Sequence, residues 1–139
     1  MKNIKVIIFD AYGTLFDVNS AAKKCKNKIG EKWELFSNYW RTTQLEYTWL
    51  RSLMGKHKDF WKITEDSLNK SMKVFKIDSS MKKQLLDLYK ILQTFPEVKD
   101  TLKKLKENKY KLAILSNGTP SLLNELVISN NLKDFFDDV

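Results

Sequence analysis

IKVIIFDAYGTLFDV, residues 4–18, decides the fold of this chain. Its first six residues, IKVIIF, form a near-continuous apolar run rich in β-branched side chains. That composition predicts a strand buried on both faces, of the kind found inside parallel sheets. The run ends at Asp10 and the chain then turns through Gly13, which leaves a carboxylate at the carboxyl end of a buried strand. In open α/β sheets, ligand crevices form at that end. Such a carboxylate can be a nucleophile, a metal ligand or a general base. Two residues beyond Asp10 stands Tyr12, an aromatic in place of a second carboxylate, and Asp17 is too far along the chain to be assumed a partner. A magnesium site needs clustered hard oxygen ligands. The residues therefore favour a metal-free nucleophile, and no cofactor is expected.

Outward from this stretch the pattern changes twice. From about Asn19 to Gln93 the periodicity is helical. Trp33 to Met54 is long, aromatic-rich and free of Gly and Pro, which predicts one long helix ended by Gly55. Trp61, Leu68, Met72 and Phe75 form an apolar stripe at helical spacing, and Met81, Leu85, Leu88, Tyr89 and Leu92 form another. Around Pro96 the pattern switches again. Thr94 and Glu97 have capping-box spacing ahead of a short helix carrying Val98, Leu102 and Leu105. Tyr110 to Leu115 predicts a second buried strand, ending in Ser116-Asn117-Gly118. Thr119 and Pro120 then predict the cap and first turn of a helix bearing Leu122, Leu123, Leu126 and Val127. Strand, helical insert, helix, strand and helix describe an α/β core with a helical domain inserted after its first strand. The expected division is 1–18 with 94–139 for a partial core, and 19–93 for the insert.

Composition limits what the chain can do. Its 139 residues suit one ordinary domain, and 42% hydrophobic content with 12% aromatics suffices for a packed core. The opening apolar run is too short for a transmembrane span or a secretory signal. One cysteine, Cys25, allows no internal disulfide and suits a reducing cytoplasm. The net charge of +8 invites a nucleic-acid reading. Against it, the lysines are spread along the polar faces of helices, and no RNP-like, zinc-knuckle or helix-turn-helix pattern appears. Neither a nucleic acid nor a membrane is expected as partner. Only Arg41 and Arg51 are arginines among 25 basic residues. A lysine-rich chain that keeps arginine at two places suggests a need for a planar, permanently charged fork.

Ser116-Asn117-Gly118 offers a hydroxyl, a carboxamide and bare backbone beside a helix start, which suits an anion such as a carboxylate. Alone it reads first as an ordinary strand-to-helix turn; in combination with Asp10 on a neighbouring parallel strand, the functional reading overtakes it. Arg41 reads either as a solvated helix-surface residue or as a cation that holds a leaving anion. Arg51 reads as solvated, and His57 as an exposed loop residue. Trp40, Trp49 and Trp61 read as core aromatics, while Phe60 and Trp61 are also able to wall an apolar pocket.

FDAYGTLFDV, WRTTQLEYTWLRSLM at 40–54, DFW at 59–61 and KLAILSNG at 111–118 together resemble the type II (S)-2-haloacid dehalogenases of the haloacid dehalogenase-like superfamily. The resemblance runs in order over essentially the whole chain. It implies a Rossmannoid parallel-sheet core with an inserted helical cap. It also implies hydrolysis of short (S)-2-haloalkanoic acids to (R)-2-hydroxy acids through an aspartyl ester. On that reading Asp10 is the nucleophile and Thr14 orients it. Arg41 and Asn117 receive the halide, and Ser116, with backbone amides near Ala11 and Tyr12, holds the carboxylate. Tyr12, Leu45 and Phe60 line the apolar pocket.

The resemblance also implies a longer core. It places a lysine, and a strand bearing Ser, Asn and Asp that position the hydrolytic water, beyond Val139; Lys133 lies before the expected place. The expectation is an incomplete core whose exposed sheet edge disfavours activity of the chain alone, ester hydrolysis above all. Alternative functions are an inactive remnant or interaction module of the family and, with less support because of Tyr12, a phosphatase-type hydrolase. A homodimer through the aromatic-rich helices, or a complementing second chain, is the macromolecular partner expected.

Overall fold

The structure is a computed structural model that describes residues 4–139; the first three residues of the 1–18 segment lie outside it. The chain forms two compact units, Met1–Asp17 with Ile91–Val139, and Val18–Lys90.

In the first unit, β1 (Val6–Phe9) and β2 (Lys111–Ile114) pair in parallel, with Val6 opposite Lys111 and Phe9 opposite Ile114. A parallel pair needs a crossover. Here the helix ahead of β2 is α6 (Val98–Glu107), which buries Val98 and Leu102 and turns Lys99, Lys103 and Lys104 to water. After β2 comes α7 (Pro120–Ser129), with Thr119 at its cap position and Pro120 at its first turn. Leu122, Leu123, Leu126 and Val127 are its buried face, as their spacing predicts. The sheet side shared by Ile7, Phe9, Leu112 and Ile114 is the packed one. Val6 and Ile8, on the opposite side, are 47% and 60% exposed. This corrects the expectation of a strand buried on both faces: in a two-stranded sheet the alternation of side chains leaves one face in water. The capping box is also absent. Glu97 occupies the cap position of α6 without a side-chain bond. Thr94 instead bridges to Phe16, and its amide donates to Asn130 Oδ1 at 3.3 Å.

Residues 137–138 run beside β2. The Asp137 amide donates to the Leu112 carbonyl, and the Ile114 amide to that of Asp138. Asp137 Oδ2 accepts from the Leu112 amide at 2.8 Å and from Lys106 Nζ at 2.9 Å. The Leu112 bond first, and Lys106 after it, hold this carboxyl below the ordinary aspartate range. A lowered native value means that the unfolded chain binds the proton more readily. The contact therefore contributes fully above about pH 3.9 and is lost as pH falls through the depressed native value. Urea midpoints of the native chain and Asp137→Asn are expected to differ at neutral pH and to converge on acidification. A gap that persists through the acid titration would contradict this.

The second unit is helical: α1 (Ser20–Lys24), α2 (Lys26–Ile29), α3 (Trp33–Leu53), α4 (Phe60–Phe75) and α5 (Met81–Tyr89). Helix α3 ends where the sequence predicts. Gly55 takes φ +65°, and the Lys56 amide returns to the Arg51 carbonyl at 2.8 Å. Helix α4 starts at Asp59, whose side chain accepts the Lys62 amide at 2.8 Å. Its buried face is Phe60, Ile63, Thr64, Ser67, Leu68, Ser71 and Met72. Thr64, Ser67 and Ser71 return their hydroxyl protons to carbonyls three or four residues back, so small polar side chains are buried on α4 with their donors satisfied. Phe36, Trp40 and Tyr89 are buried aromatics, and Cys25 is a buried free thiol. Trp49 is 60% exposed, which corrects its reading as a core aromatic. Arg51 is not a solvated arginine either. Its Nη2 lies 3.0 Å from Asp66 Oδ2, a partner fifteen residues away on α4. Among the described residues, no helix is long and apolar enough to cross a membrane.

Candidate active site

Extending the sheet register by one residue sets Asp10 level with Leu115, and the Leu115 amide donates to the Phe9 carbonyl at 2.9 Å. Asp10 thus stands beside the start of Ser116-Asn117-Gly118, at the carboxyl ends of two adjacent parallel strands. Its side chain is exposed. The loop beyond it is built on the Ala11 carbonyl, which accepts the amides of Leu15 and Phe16 at 2.9 and 3.0 Å and that of Thr14 at 3.4 Å. Gly13 makes this turn possible by taking φ +90°. Ala11, Tyr12, Leu15 and Phe16 are buried, while Thr14 stays exposed. A buried turn directly after an exposed carboxylate fixes the backbone beyond Asp10 without enclosing the side chain.

On the second strand end, Ser116 Oγ accepts the Gly118 amide at 3.3 Å, a bond that does not use the hydroxyl proton. Asn117 is exposed. Gly118 is required for space. A Cβ there would lie 2.8 Å from the Tyr12 ring and 3.0 Å from the Leu123 side chain. Tyr12 is only 5% exposed and has little room to retreat. Gly118→Ala is expected to cost about 1–3 kcal/mol by overpacking, read as a lower urea midpoint. An unchanged midpoint would show that the ring yields freely.

The second unit carries Arg41, Leu45 and Phe60. Arg41 and Leu45 are one turn apart on α3, both half-buried, and Phe60 is the buried first residue of α4. Arg41 Nη1 donates to Gln44 Oε1 at 2.8 Å. Gln44 Nε2 donates to Thr64 Oγ1 at 2.6 Å and lies 3.1 Å from Tyr89 Oη. Burial pushes the Tyr89 phenol above its ordinary range, against the opposing pull of Arg41 and Gln44, so it keeps its proton at neutral pH.

The sequence as a whole matches the model of haloacid dehalogenase-like hydrolases over residues 4–139. The chain belongs to the haloacid dehalogenase-like hydrolase family.

This haloacid dehalogenase-like chain is 43% identical over 139 residues to the (S)-2-haloacid dehalogenase of Pseudomonas sp. strain YL, covering 99% of itself and 60% of that relative. It superposes on a dehalogenase crystal structure with a TM-score of 0.95 at 36% identity, covering 99% of itself and 62% of the other chain. The L-2-haloacid dehalogenase from Xanthobacter autotrophicus, with chloropropionic acid covalently bound, gives a TM-score of 0.87 at 39% identity, with 99% and 56% coverage. The chain spans about three-fifths of the length of the curated relatives it matches.

Within the haloacid dehalogenase-like core unit, the structure brings together Asp10, Ala11, Tyr12, Thr14, Ser116 and Asn117. Arg41, Leu45 and Phe60 stand on the helical unit. The sequence reading missed Gln44, Thr64 and Tyr89. The spacing of Arg41 and Gln44, three apart on one helix, is a signal that pairs them; nothing local links them to Thr64 or Tyr89. Gly118 was legible as bare backbone but not as the floor beneath Tyr12. Among the described residues, no group of three or more His, Cys, Asp or Glu side chains is arranged to hold a metal ion.

Proposed function

We propose that this chain carries the substrate-attacking chemistry of a hydrolytic dehalogenase that converts short (S)-2-haloalkanoic acids to (R)-2-hydroxy acids. One observation carries the reading: the register of β1 and β2 sets Asp10 beside the Ser116-Asn117-Gly118 turn. Displacement at a carbon that bears a carboxylate needs a nucleophile and an anion-holding turn at one place. The substrate class is supported by the relative named as an (S)-2-haloacid dehalogenase and by the structure holding chloropropionic acid.

In this mechanism the Asp10 carboxylate attacks C2 in line with the carbon–halogen bond. A carbon–oxygen bond forms as the halide departs with the bonding pair, and the carbon inverts. Arg41 and Asn117 receive the halide. Ser116, with amides near Ala11 and Tyr12, holds the substrate carboxylate, and Thr14 orients Asp10. Tyr12, Leu45 and Phe60 provide apolar walls for the substrate. Water then adds at the aspartyl carbonyl carbon, the acyl–oxygen bond breaks, and the hydroxy acid leaves with one water proton. Asp10 returns as carboxylate, and the net products are hydroxy acid, halide and a proton. Residues 19–93 act as the cap of this reaction, and 1–18 with 94–139 as its partial core. Tyr12, in place of a second carboxylate, argues against a phosphatase.

Alkylation of Asp10 is measurable without the hydrolytic step. The chain is incubated separately with (S)- and (R)-2-chloropropionate, then assayed for chloride and for the mass of the Asp10 peptide. Chloride from the (S) enantiomer alone, with a 2-propionate ester on Asp10, is the expected result. Neither chloride nor ester from a folded chain would falsify the reading.

A further inference from the structure

Arg41 takes part in a chain of hydrogen bonds with one permitted sense. Thr64 is fully buried, and its hydroxyl has a single proton, which goes to the Phe60 carbonyl at 2.8 Å. Toward Gln44 the Thr64 oxygen can then only accept. The Gln44 side chain, 1% exposed, must therefore turn its NH2 to Thr64, 2.6 Å away, and its carbonyl oxygen to the other side. That oxygen accepts from Arg41 Nη1 at 2.8 Å and from Tyr89 Oη at 3.2 Å. The opposite amide sense would set N–H groups against the guanidinium, which has five donors and no acceptor.

The surroundings hold this relay in place. The Tyr89 ring packs on Trp40 with centroids 5.1 Å apart, and Trp40 Nε1 donates to the Thr64 carbonyl at 3.1 Å. The Gln44 carbonyl on the main chain is itself met by Thr48 Oγ1 at 2.9 Å. A buried polar network whose members are all paired is rigid, because each alternative leaves a donor or acceptor stranded.

We propose that Thr64, acting through Gln44, is a positioning residue for the orientation of the Arg41 guanidinium. The consequence for catalysis rests on the reading of Arg41 as the halide receiver; the positioning itself does not. The relay also explains why arginine stands here in a lysine-rich chain. A planar fork takes a fixed direction from its bond to Gln44, whereas an ammonium offers none.

The test uses Thr64→Val, which keeps the shape and removes the hydroxyl, and Thr64→Ser, which restores it. Thr64→Ala serves if the valine variant does not fold. The first readout is the nitrogen-15 spectrum of the arginine side chains. It is simple here because the chain has only Arg41 and Arg51, and Arg51→Lys assigns the pair. In the native chain the Arg41 guanidinium nitrogens are expected to give separate resonances through hindered rotation. They should merge in Thr64→Val and separate again in Thr64→Ser. The second readout is chloride release from (S)-2-chloropropionate, expected to fall about tenfold to a hundredfold in Thr64→Val. It should recover to near the native rate in Thr64→Ser. An Arg41 spectrum unchanged by loss of the hydroxyl, or not restored by serine, overturns the proposal. A merged and restored spectrum with an unaltered rate of chloride release supports the positioning and overturns only the halide role of Arg41.

Discussion

Asp10→Asn is expected to reduce chloride release by about four orders of magnitude or more while leaving the fold in place. The carboxamide keeps the size of the side chain but lacks the charged oxygen that attacks the carbon in the proposed reaction. Because Asp10 is exposed and lies just beyond β1, its replacement removes no core packing. Stability should move by no more than about 0.5 kcal/mol. Asp10→Glu retains the carboxylate but shifts it by one methylene, and misplacement of a reacting atom by about 1 Å is enough to cost roughly a hundredfold. A chloride electrode and circular dichroism on the same samples separate chemistry from folding. Retention of the native rate by the asparagine variant would remove Asp10 from the reaction. Equal rates for Asn and Glu at a lowered common value would point to loss of structure.

Phe36→Ala should have the largest effect on stability. Phe36 is fully buried on α3, and its ring meets Phe75 edge-on with centroids 5.9 Å apart and Trp40 at 6.1 Å. Removing a buried phenyl ring loses its transfer energy and leaves a cavity, together about 3–5 kcal/mol. Native domains hold only about 5–15 kcal/mol in total, so this one change threatens the helical unit. Leu35, its neighbour in sequence, is 67% exposed on the same helix. Leu35→Ala is therefore the control and should shift stability by about 0.5 kcal/mol or less. Urea unfolding followed by helical circular dichroism gives both values. Similar costs at 35 and 36 would mean that the buried face of α3 is assigned wrongly.

Local chemistry made part of this molecule legible in advance. The end of α3 at Gly55, the apolar face of α7 and the strand-end position of Asp10 follow from spacing and from what glycine and proline permit. Other features depend on which segments meet. The IKVIIF run does not reveal that Val6 and Ile8 stay exposed, because burial of a strand is decided by what packs on each face. Trp49 carries the same ambiguity: an aromatic on a helix is core or surface according to its neighbours. Thr94 has the spacing of a cap, but a bridge to Phe16 competes for that segment and wins. The Arg51–Asp66 pair and the Thr64–Gln44–Arg41 relay each join two helices, so no single stretch displays them. In the candidate site, the residue types were readable from motifs; the packing of Gly118 on Tyr12 and the support behind Arg41 were not.

The exposed side of the sheet gives the chain an unusual response to ionic strength. Ile4, Val6, Ile8 and Leu115 are each between 47% and 73% exposed, on a molecule whose formal net charge is +8. At low salt, like-charged copies repel over tens of ångströms, and this long-range term keeps the short-range apolar attraction from acting. Raising salt to about 0.1 M shrinks the range of repulsion to about 10 Å, while the attraction between oily surfaces is left intact or strengthened. Colloidal stability therefore runs opposite to that of a charge-driven complex: dilute buffer disperses these molecules, and added electrolyte draws them together.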